Sequence, residues 1–223
     1  MFTAYSPSHL VVLAIFAAGT IGLLVGGSRL RGTRAERPTA VALAWGNLLF
    51  GVASTITELF PFSARHSLPL QICDIAWIFV AWGLLSLRPL PVALTYYWGL
   101  TLSVQALVQP TLTEPFPDVE FFVFWGKHVL IVWGAVYLCL SLRHGPDWTS
   151  YRTAVAWTFG WLVSVMCLNA LLGSNYGCER QAVGGDRARP ARAVAAVRRR
   201  RDGDRGGGVG PDHAAVDRAP ATR

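Results

Sequence analysis

The sequence is poor in charge and lacks the motifs of soluble cofactor enzymes. Only 15% of its 223 residues are charged, whereas 52% are hydrophobic, and the mean hydropathy is +0.38. There is no HExxH pair, no Walker glycine loop, no Gly-x-Ser-x-Gly elbow and no metal-ligand spacing. Nothing supports a soluble enzyme, and we expect no cofactor and no metal, because this composition is typical of an integral membrane protein.

Cysteines are few and follow no pairing pattern. The four cysteines, Cys73, Cys139, Cys167 and Cys178, form no CxxC motif, and three of them lie inside apolar segments. We therefore expect free thiols rather than disulfides. The N-terminus also lacks the basic n-region of a cleaved signal peptide, and the first apolar run is long enough to remain as a membrane span.

Six apolar segments approach the length of about 20 residues that a helix needs to cross about 30 Å of hydrocarbon. They cover residues 9–27, 39–58, 68–87, 89–109, 119–142 and 153–174. We therefore predict an all-α, polytopic transmembrane helix bundle with six intact spans, formed by residues 1–177.

The basic residues predict the orientation of this bundle, because cytoplasmic loops are enriched in Lys and Arg. The first, third and fifth loops carry nearly all of the bases outside the tail, namely Arg29, Arg31, Arg34, Arg37, Arg88, Arg143 and Arg152. Loops on the other side have only Arg65. We expect a multi-pass protein of the cell membrane with an extracytoplasmic N-terminus.

The last part of the chain breaks this pattern. Eleven of the 20 Lys and Arg residues follow Gly177, so the net charge of +7 belongs mainly to the tail and does not indicate a nucleic acid partner. Six spans would leave this tail outside the cytoplasm. Moving one base forward from Cys178, with permitted synonymous codons, gives ANGKPSAATALDLLGPWPLYVVAEMA, the start of a seventh apolar span. Residues 178–223 are therefore interpreted as a frameshifted, basic disordered tail; the alternative is a genuine disordered tail.

Polar side chains within the predicted spans are concentrated in the outer half of the bundle. Each ionised group at the centre of a bilayer costs about 2.5–3.5 kcal/mol, so such groups face partners or water. The polar side chains are His9, Glu58, Gln71, Cys73, Asp74, Gln105, Gln109, Lys127, His128, Asn169 and Asn175. We predict an outer-leaflet polar cavity lined by spans two to six.

Cys73 and His128 are the candidate catalytic pair. An imidazole within hydrogen-bond reach of a thiol can remove its proton and create a nucleophile for acyl transfer. Gln105, Asn169 or Asn175 could then donate hydrogen bonds to an oxyanion. The alternative is structural: a cysteine in an apolar helix is usually a small core residue, and a histidine there is often hydrogen-bonded packing.

Lys127 needs a partner or an escape route to water, because its charge lies inside an apolar helix. Asp74, Glu58 and Glu120 are candidate partners on the same side of the membrane. An ion pair is the ordinary explanation. The functional alternative is that Lys127 and Asp74 bind substrate or relay a proton or ion in a transporter.

Three segments carry a resemblance to a known family: LPLQICDIAWI at 68–78, WGLTLSVQALVQPTL with DVEFFVFWGKHVLIVW between 98 and 133, and NALLGSNYG at 169–177. Over residues 9–177 the chain resembles YwaF-type bacterial membrane proteins. These are distantly similar to eukaryotic transmembrane phospholipid acyltransferases that use a cysteine. The resemblance implies seven spans, a catalytic role for Cys73 with His128 as its base, and membrane lipids as partners, with no nucleic acid or soluble protein partner.

Two functions are therefore expected. The first is cysteine-dependent acyl transfer between phospholipids, with Asp74, Gln105, Lys127, Asn169 and Asn175 binding substrate. The second is a non-enzymatic transporter or binding protein for a small solute or lipid, in which Lys127 and Asp74 form a paired gate.

The nucleotide sequence of the gene tests the interpretation of the tail. We expect that reading one base forward from the codon of Cys178 yields about 20 consecutive apolar residues, the length of a further span. A shifted frame rich in stop codons or charged residues would contradict the frameshift.

Overall fold

The computed structural model describes residues 2–60, 62–63, 67–174 and 176, all within one unit, Met1–Arg180. These residues form helices and contain no strand. The α-helices are α1 (Pro7–Leu30), α2 (Glu36–Leu59), α3 (Ile72–Ser86), α4 (Pro89–Leu94), α5 (Ser103–Val108), α6 (Val119–Ala135) and α7 (Trp148–Leu172). The prediction of an all-α membrane protein is confirmed, whereas the predicted tail at 178–223 lies outside the described residues.

Within the described residues, four helical stretches are long and apolar enough to cross a membrane. They are Pro7–Leu30, Glu36–Leu59, Val119–Ser141 and Trp148–Leu172. The predicted third span, 68–87, is longer than the helix that forms there, because α3 begins only at Ile72 and has 15 residues. Residues 68–71 remain non-helical, since Pro69 lies just ahead of the N-cap Gln71. The total of six spans therefore stays a prediction.

Two π-helical segments continue the α-helices into longer rods. The first, Thr95–Leu102, joins α4 to α5, and the second, Val136–Ser141, extends α6. A π-helical turn holds more residues than an α-helical turn, so it shifts the side chains that follow. In the first segment, the buried Thr95 hydroxyl donates to the Phe79 carbonyl of α3 at 3.0 Å, which joins this rod to α3.

The N-terminal segment closes one end of the bundle. The Phe2 amide donates to the Thr113 carbonyl at 2.8 Å, and the Tyr5 hydroxyl donates to the Val108 carbonyl at 3.1 Å. His9 accepts from the Tyr5 amide at Nδ1, so its Nε2–H donates to the Leu107 carbonyl, 2.9 Å away. The start of α1 therefore lies beside the end of α5.

Arg31, just after α1, and Arg37, at the start of α2, stabilise the opposite end of the bundle. The Arg31 guanidinium donates to the Ser141 carbonyl from two nitrogens, at 2.8 and 3.2 Å. Arg37 reaches the Leu84 and Leu85 carbonyls, at 3.2 and 3.0 Å. These carbonyls end helical segments and lack intrahelical donors, so the arginines act as C-terminal caps.

Close helix contacts depend on glycines that face aromatic rings. A Cβ on Gly51 of α2 would lie 2.1 Å from the Trp77 ring of α3, and one on Gly126 of α6 would lie 2.2 Å from the Phe50 ring of α2. Both distances are far below van der Waals contact, so no larger residue fits without moving a helix. These contacts set the spacing of α2, α3 and α6.

We therefore expect Gly51→Ala to destabilise the protein. Overpacking a well-packed core typically lowers the free energy of unfolding by about 1–3 kcal/mol, because either the aromatic ring or one of the helices must move. Gly22→Ala is the matched control, since nothing lies within 4 Å of a Cβ at that position. Thermal unfolding in detergent should show a lower midpoint for the first variant only. Equal midpoints for the two variants would contradict this packing.

Candidate functional site

The ammonium group of Lys127 lies between two carboxylates. Its Nζ is 3.0 Å from Asp74 Oδ1 and 3.1 Å from Glu58 Oε1. The Lys127 and Asp74 side chains are 4% and 5% exposed, whereas Glu58 is 36% exposed. The predicted pairing of Lys127 with Asp74 and Glu58 is therefore present in the structure. Glu120, the third candidate, is exposed and forms no ion pair with Lys127 among the described residues.

Three helices bring these charges together. Glu58 lies in the last turn of α2, Asp74 in the first turn of α3, and Lys127 in the middle of α6. The Ser54 hydroxyl, one turn before Glu58, donates to the same Oε1 at 2.8 Å. The backbone amide of Gln71 donates to Asp74 Oδ2 at 3.1 Å, as in a capping box. Both carboxylates are therefore oriented by neighbours on their own helices.

Cys73 adjoins this cluster. Its thiol donates to Asp74 Oδ1, with 3.6 Å between sulfur and oxygen, so that oxygen accepts from the thiol and from Lys127 together. Glu58 and Lys127 are also close enough to Cys73 to interact with it electrostatically. Cys73 is half-buried, which makes it more open to its surroundings than Asp74 or Lys127. We refer to Cys73, Asp74, Lys127 and Glu58 as the ionic cluster.

His128 follows Lys127 on α6 but is held by its own helix. Its Nδ1 lies 2.8 Å from the Phe124 carbonyl oxygen, and the centroids of the His128 and Phe124 rings are 4.3 Å apart. Because a carbonyl only accepts, Nδ1 carries the proton and Nε2 keeps a lone pair. No hydrogen bond joins His128 to Cys73 among the described residues. The catalytic pair therefore stays a prediction and is not a direct hydrogen-bonded pair here.

No hydrogen bond within the described residues joins the predicted amide donors to the ionic cluster. Gln105 is exposed on α5. The Asn169 side chain is engaged at the end of α7, where Oδ1 accepts from the Tyr176 amide at 2.7 Å and Nδ2 donates to the Tyr176 carbonyl at 2.8 Å. Asn175 lies outside the described residues. Asn169 thus stabilises the turn that follows α7.

The predicted polar cavity stays a prediction, and one groove of the structure has a different character. A groove of about 680 Å³ lies between α3 and α7 and is mostly apolar. Ile75, Ile78 and Phe79 form its α3 wall, and Trp157 and Trp161 are prominent on its α7 wall. Neither Cys73 nor any other residue of the ionic cluster lines it. The groove and the cluster are therefore separate features.

Two residues with structural importance were missed by sequence reasoning. The Ser54 hydroxyl donates a hydrogen bond to the Glu58 carboxylate. Their spacing of four residues on one helix face was the signal that the sequence offered. Asn47, which is 1% exposed, donates from Nδ2 to the Leu43 and Leu130 carbonyls at 2.9 and 3.0 Å. It joins α2 to α6, and an asparagine within an apolar span was its signal.

Replacing Lys127 should destabilise the protein strongly. Lys127→Met keeps an unbranched apolar stem but leaves Asp74 and Glu58 without their shared counter-ion. Removing one partner of a buried ion pair costs about 3–5 kcal/mol. Glu120→Gln is the control on the same helix, because this exposed position should change stability by less than about 0.5 kcal/mol. Chemical unfolding in detergent compares the two variants, and equal stabilities would contradict a structural ion cluster.

Comparisons with known proteins place the chain in a family of membrane proteins. Curated proteins and solved structures give no match to the chain. A family model described as the TMEM164 family matches residues 4–183, which is most of the chain and includes all four residues of the ionic cluster. The chain belongs to the TMEM164 family of membrane proteins.

Proposed function

We propose that this membrane protein is a cysteine-dependent acyltransferase that moves an acyl chain between phospholipids, with Cys73 as the nucleophile. The observation that carries the proposal is the position of Cys73, half-buried and hydrogen-bonded to an ionic cluster formed by three helices. Ionisable groups beside a thiol can change its protonation state, whereas a thiol surrounded by hydrocarbon has no such neighbours.

The family resemblance supports the same assignment. The LPLQxC pattern covers the start of α3 and contains Cys73, and the FFxFWxxH pattern lies on α6 and contains His128. The finer relation to YwaF-type bacterial proteins is part of the proposal, as is a location in the cell membrane with the N-terminus outside. In that orientation the ionic cluster lies in the outer leaflet, next to lipid ester groups.

His128 has a role in the second half of the proposed reaction. Once Cys73 holds the acyl group as a thioester, the hydroxyl of an acceptor lipid must lose its proton as it attacks. The Nε2 lone pair of His128 can accept that proton, because Nδ1 is fixed on the Phe124 carbonyl. The imidazolium then gives its proton up to the solvent, and the departing Cys73 thiolate takes a proton from the solvent.

One observation favours a second candidate function, transport. Lys127 bridges a buried carboxylate, Asp74, and a partly exposed one, Glu58, so the three groups form a short path from the interior of the bundle towards its surroundings. Such a series of ionisable groups is typical of proton and ion relays in membrane transporters. In this alternative Cys73 is a packing residue.

Acyl transfer by the full chain in phospholipid vesicles tests the proposal. With a labelled acyl chain in the donor lipid and a lysophospholipid as acceptor, we expect Cys73→Ala to lower the rate by at least about 100-fold, because the covalent intermediate is lost. Cys167→Ala is the matched control, since this exposed thiol on α7 is far along the chain from the cluster.

Full activity of Cys73→Ala would reject the acyltransferase. The transport alternative gives a different pattern in the same vesicles: Lys127→Met abolishes the flux of protons or solute, and Cys73→Ala leaves that flux intact.

A further inference from the structure

The oxygen Oδ1 of Asp74 is where the thiol and the ammonium of the ionic cluster meet. The Cys73 thiol donates to it across 3.6 Å, and Lys127 Nζ lies 3.0 Å from it. The other oxygen, Oδ2, accepts from the Gln71 amide at 3.1 Å. The carboxylate is thus held in one orientation, with Oδ1 directed at the sulfur.

His128 belongs to a different set of contacts. Its Nδ1–H is bound to the Phe124 carbonyl, and no described hydrogen bond connects its ring to the cysteine. A proton moves directly only between atoms in hydrogen-bond contact, or through one intervening water. Among the side chains in the described part of the chain, Asp74 is the one that is hydrogen-bonded to the thiol.

Resting on the proposed acyl transfer, we infer that Asp74 is the catalytic residue that takes the proton of the Cys73 thiol, and that Lys127 then serves as the counter-ion of the thiolate. The sequence-based expectation gave the thiol proton to His128. The contacts in the structure place this step within the ionic cluster instead and leave His128 for the acceptor hydroxyl.

The proton transfer takes place within the cluster, and the acyl transfer takes place between Cys73 and a lipid ester. The S–H bond of Cys73 breaks, its electron pair stays on sulfur, and an O–H bond forms at Oδ1 of Asp74. The thiolate attacks the ester carbonyl carbon, a C–S bond forms, and the ester C–O bond breaks. The departing alkoxide takes the proton from Asp74, which yields a lysolipid, a Cys73 thioester and a regenerated carboxylate.

The exchange creates no new net charge within the cluster. Before and after the proton moves, the two acids, the lysine and the thiol carry a total formal charge of −1. Only the location of one negative charge changes, from Asp74 to Cys73. Lys127 is close to both groups, and Cys73 lies in the first turn of α3, where the positive end of the helix dipole stabilises a thiolate.

The two halves of the reaction can be measured separately. A chain with Cys139, Cys167 and Cys178 changed to Ser has Cys73 as its only thiol. In vesicles of labelled phospholipid without acceptor, the thioester is detected by mass spectrometry and by its release with hydroxylamine. Adding a lysophospholipid then starts the second half.

We expect Asp74→Asn to slow thioester formation by about 100-fold or more, which is the usual effect of losing a general base. Asp74→Glu keeps a carboxylate and should recover part of the rate. Glu120→Gln is the control, because it neutralises an exposed carboxylate on α6 that lies outside the ionic cluster, and it should leave the rate of thioester formation unchanged. His128→Gln should accumulate the thioester and fail to pass it on.

Failure of this inference is distinguishable from failure of the proposed function. If His128→Gln forms no thioester while Asp74→Asn forms it at the unaltered rate, His128 is the base of the first step and Asp74 is not. His128→Gln keeps the ion pair of Lys127, so whether this variant forms the thioester still distinguishes the two candidate bases when Asp74→Asn does not fold. Acyl transfer by Cys73→Ala would instead reject the proposed acyltransferase function.

Discussion

The shared counter-ion Lys127 is the constraint on which the rest of the site depends. A buried ammonium is tolerated only when opposite charges and hydrogen bonds replace the water it has lost. Lys127 obtains both from Asp74 and Glu58, and it is the only lysine in the chain. Because its two partners lie on α3 and α2, the pairing fixes the ends of two helices against the middle of α6.

Packing and electrostatics place the same three helices together. The Gly51–Trp77 contact sets how closely α2 and α3 approach, and Asn47 joins α2 to α6 by a hydrogen bond to the Leu130 carbonyl. These apolar and neutral contacts hold the backbones close enough for Lys127 to reach its partners at hydrogen-bond distance. The position of the Cys73 thiol follows from that arrangement, because Cys73 adjoins Asp74 in the first turn of α3.

Much of the fold could be predicted from the sequence, and the limits have physical causes. Apolar runs give the helical segments, since hydrocarbon requires internally paired backbone, and a lone lysine in such a run requires acidic partners. The predicted start of the third span, residue 68, lies four residues before the start of α3. Hydropathy does not show that Pro69 and Gln71 precede the first residue of the helix. The two π-helical segments have no signal in the apolar pattern.

The site could be predicted in its composition but not in its connections. The polar residues of the outer half were named from their depth, yet depth does not show which way a side chain points around its helix. His128 and Asn169 turned out to satisfy local backbone groups, at the Phe124 carbonyl and in the turn after α7. The contact between Cys73 and Asp74 depends on the rotamers of neighbouring side chains, which spacing alone does not determine.

Amine labelling tests the enclosure of Lys127 most directly. A membrane-permeable amine-reactive ester has two targets in this chain, the Lys127 side chain and the N-terminal amine, which serves as an internal control. An ammonium held by two carboxylates and 4% exposed should react far more slowly than the N-terminus in the folded protein, and should react readily after denaturation. Rapid labelling of Lys127 in the folded protein would contradict the ionic cluster.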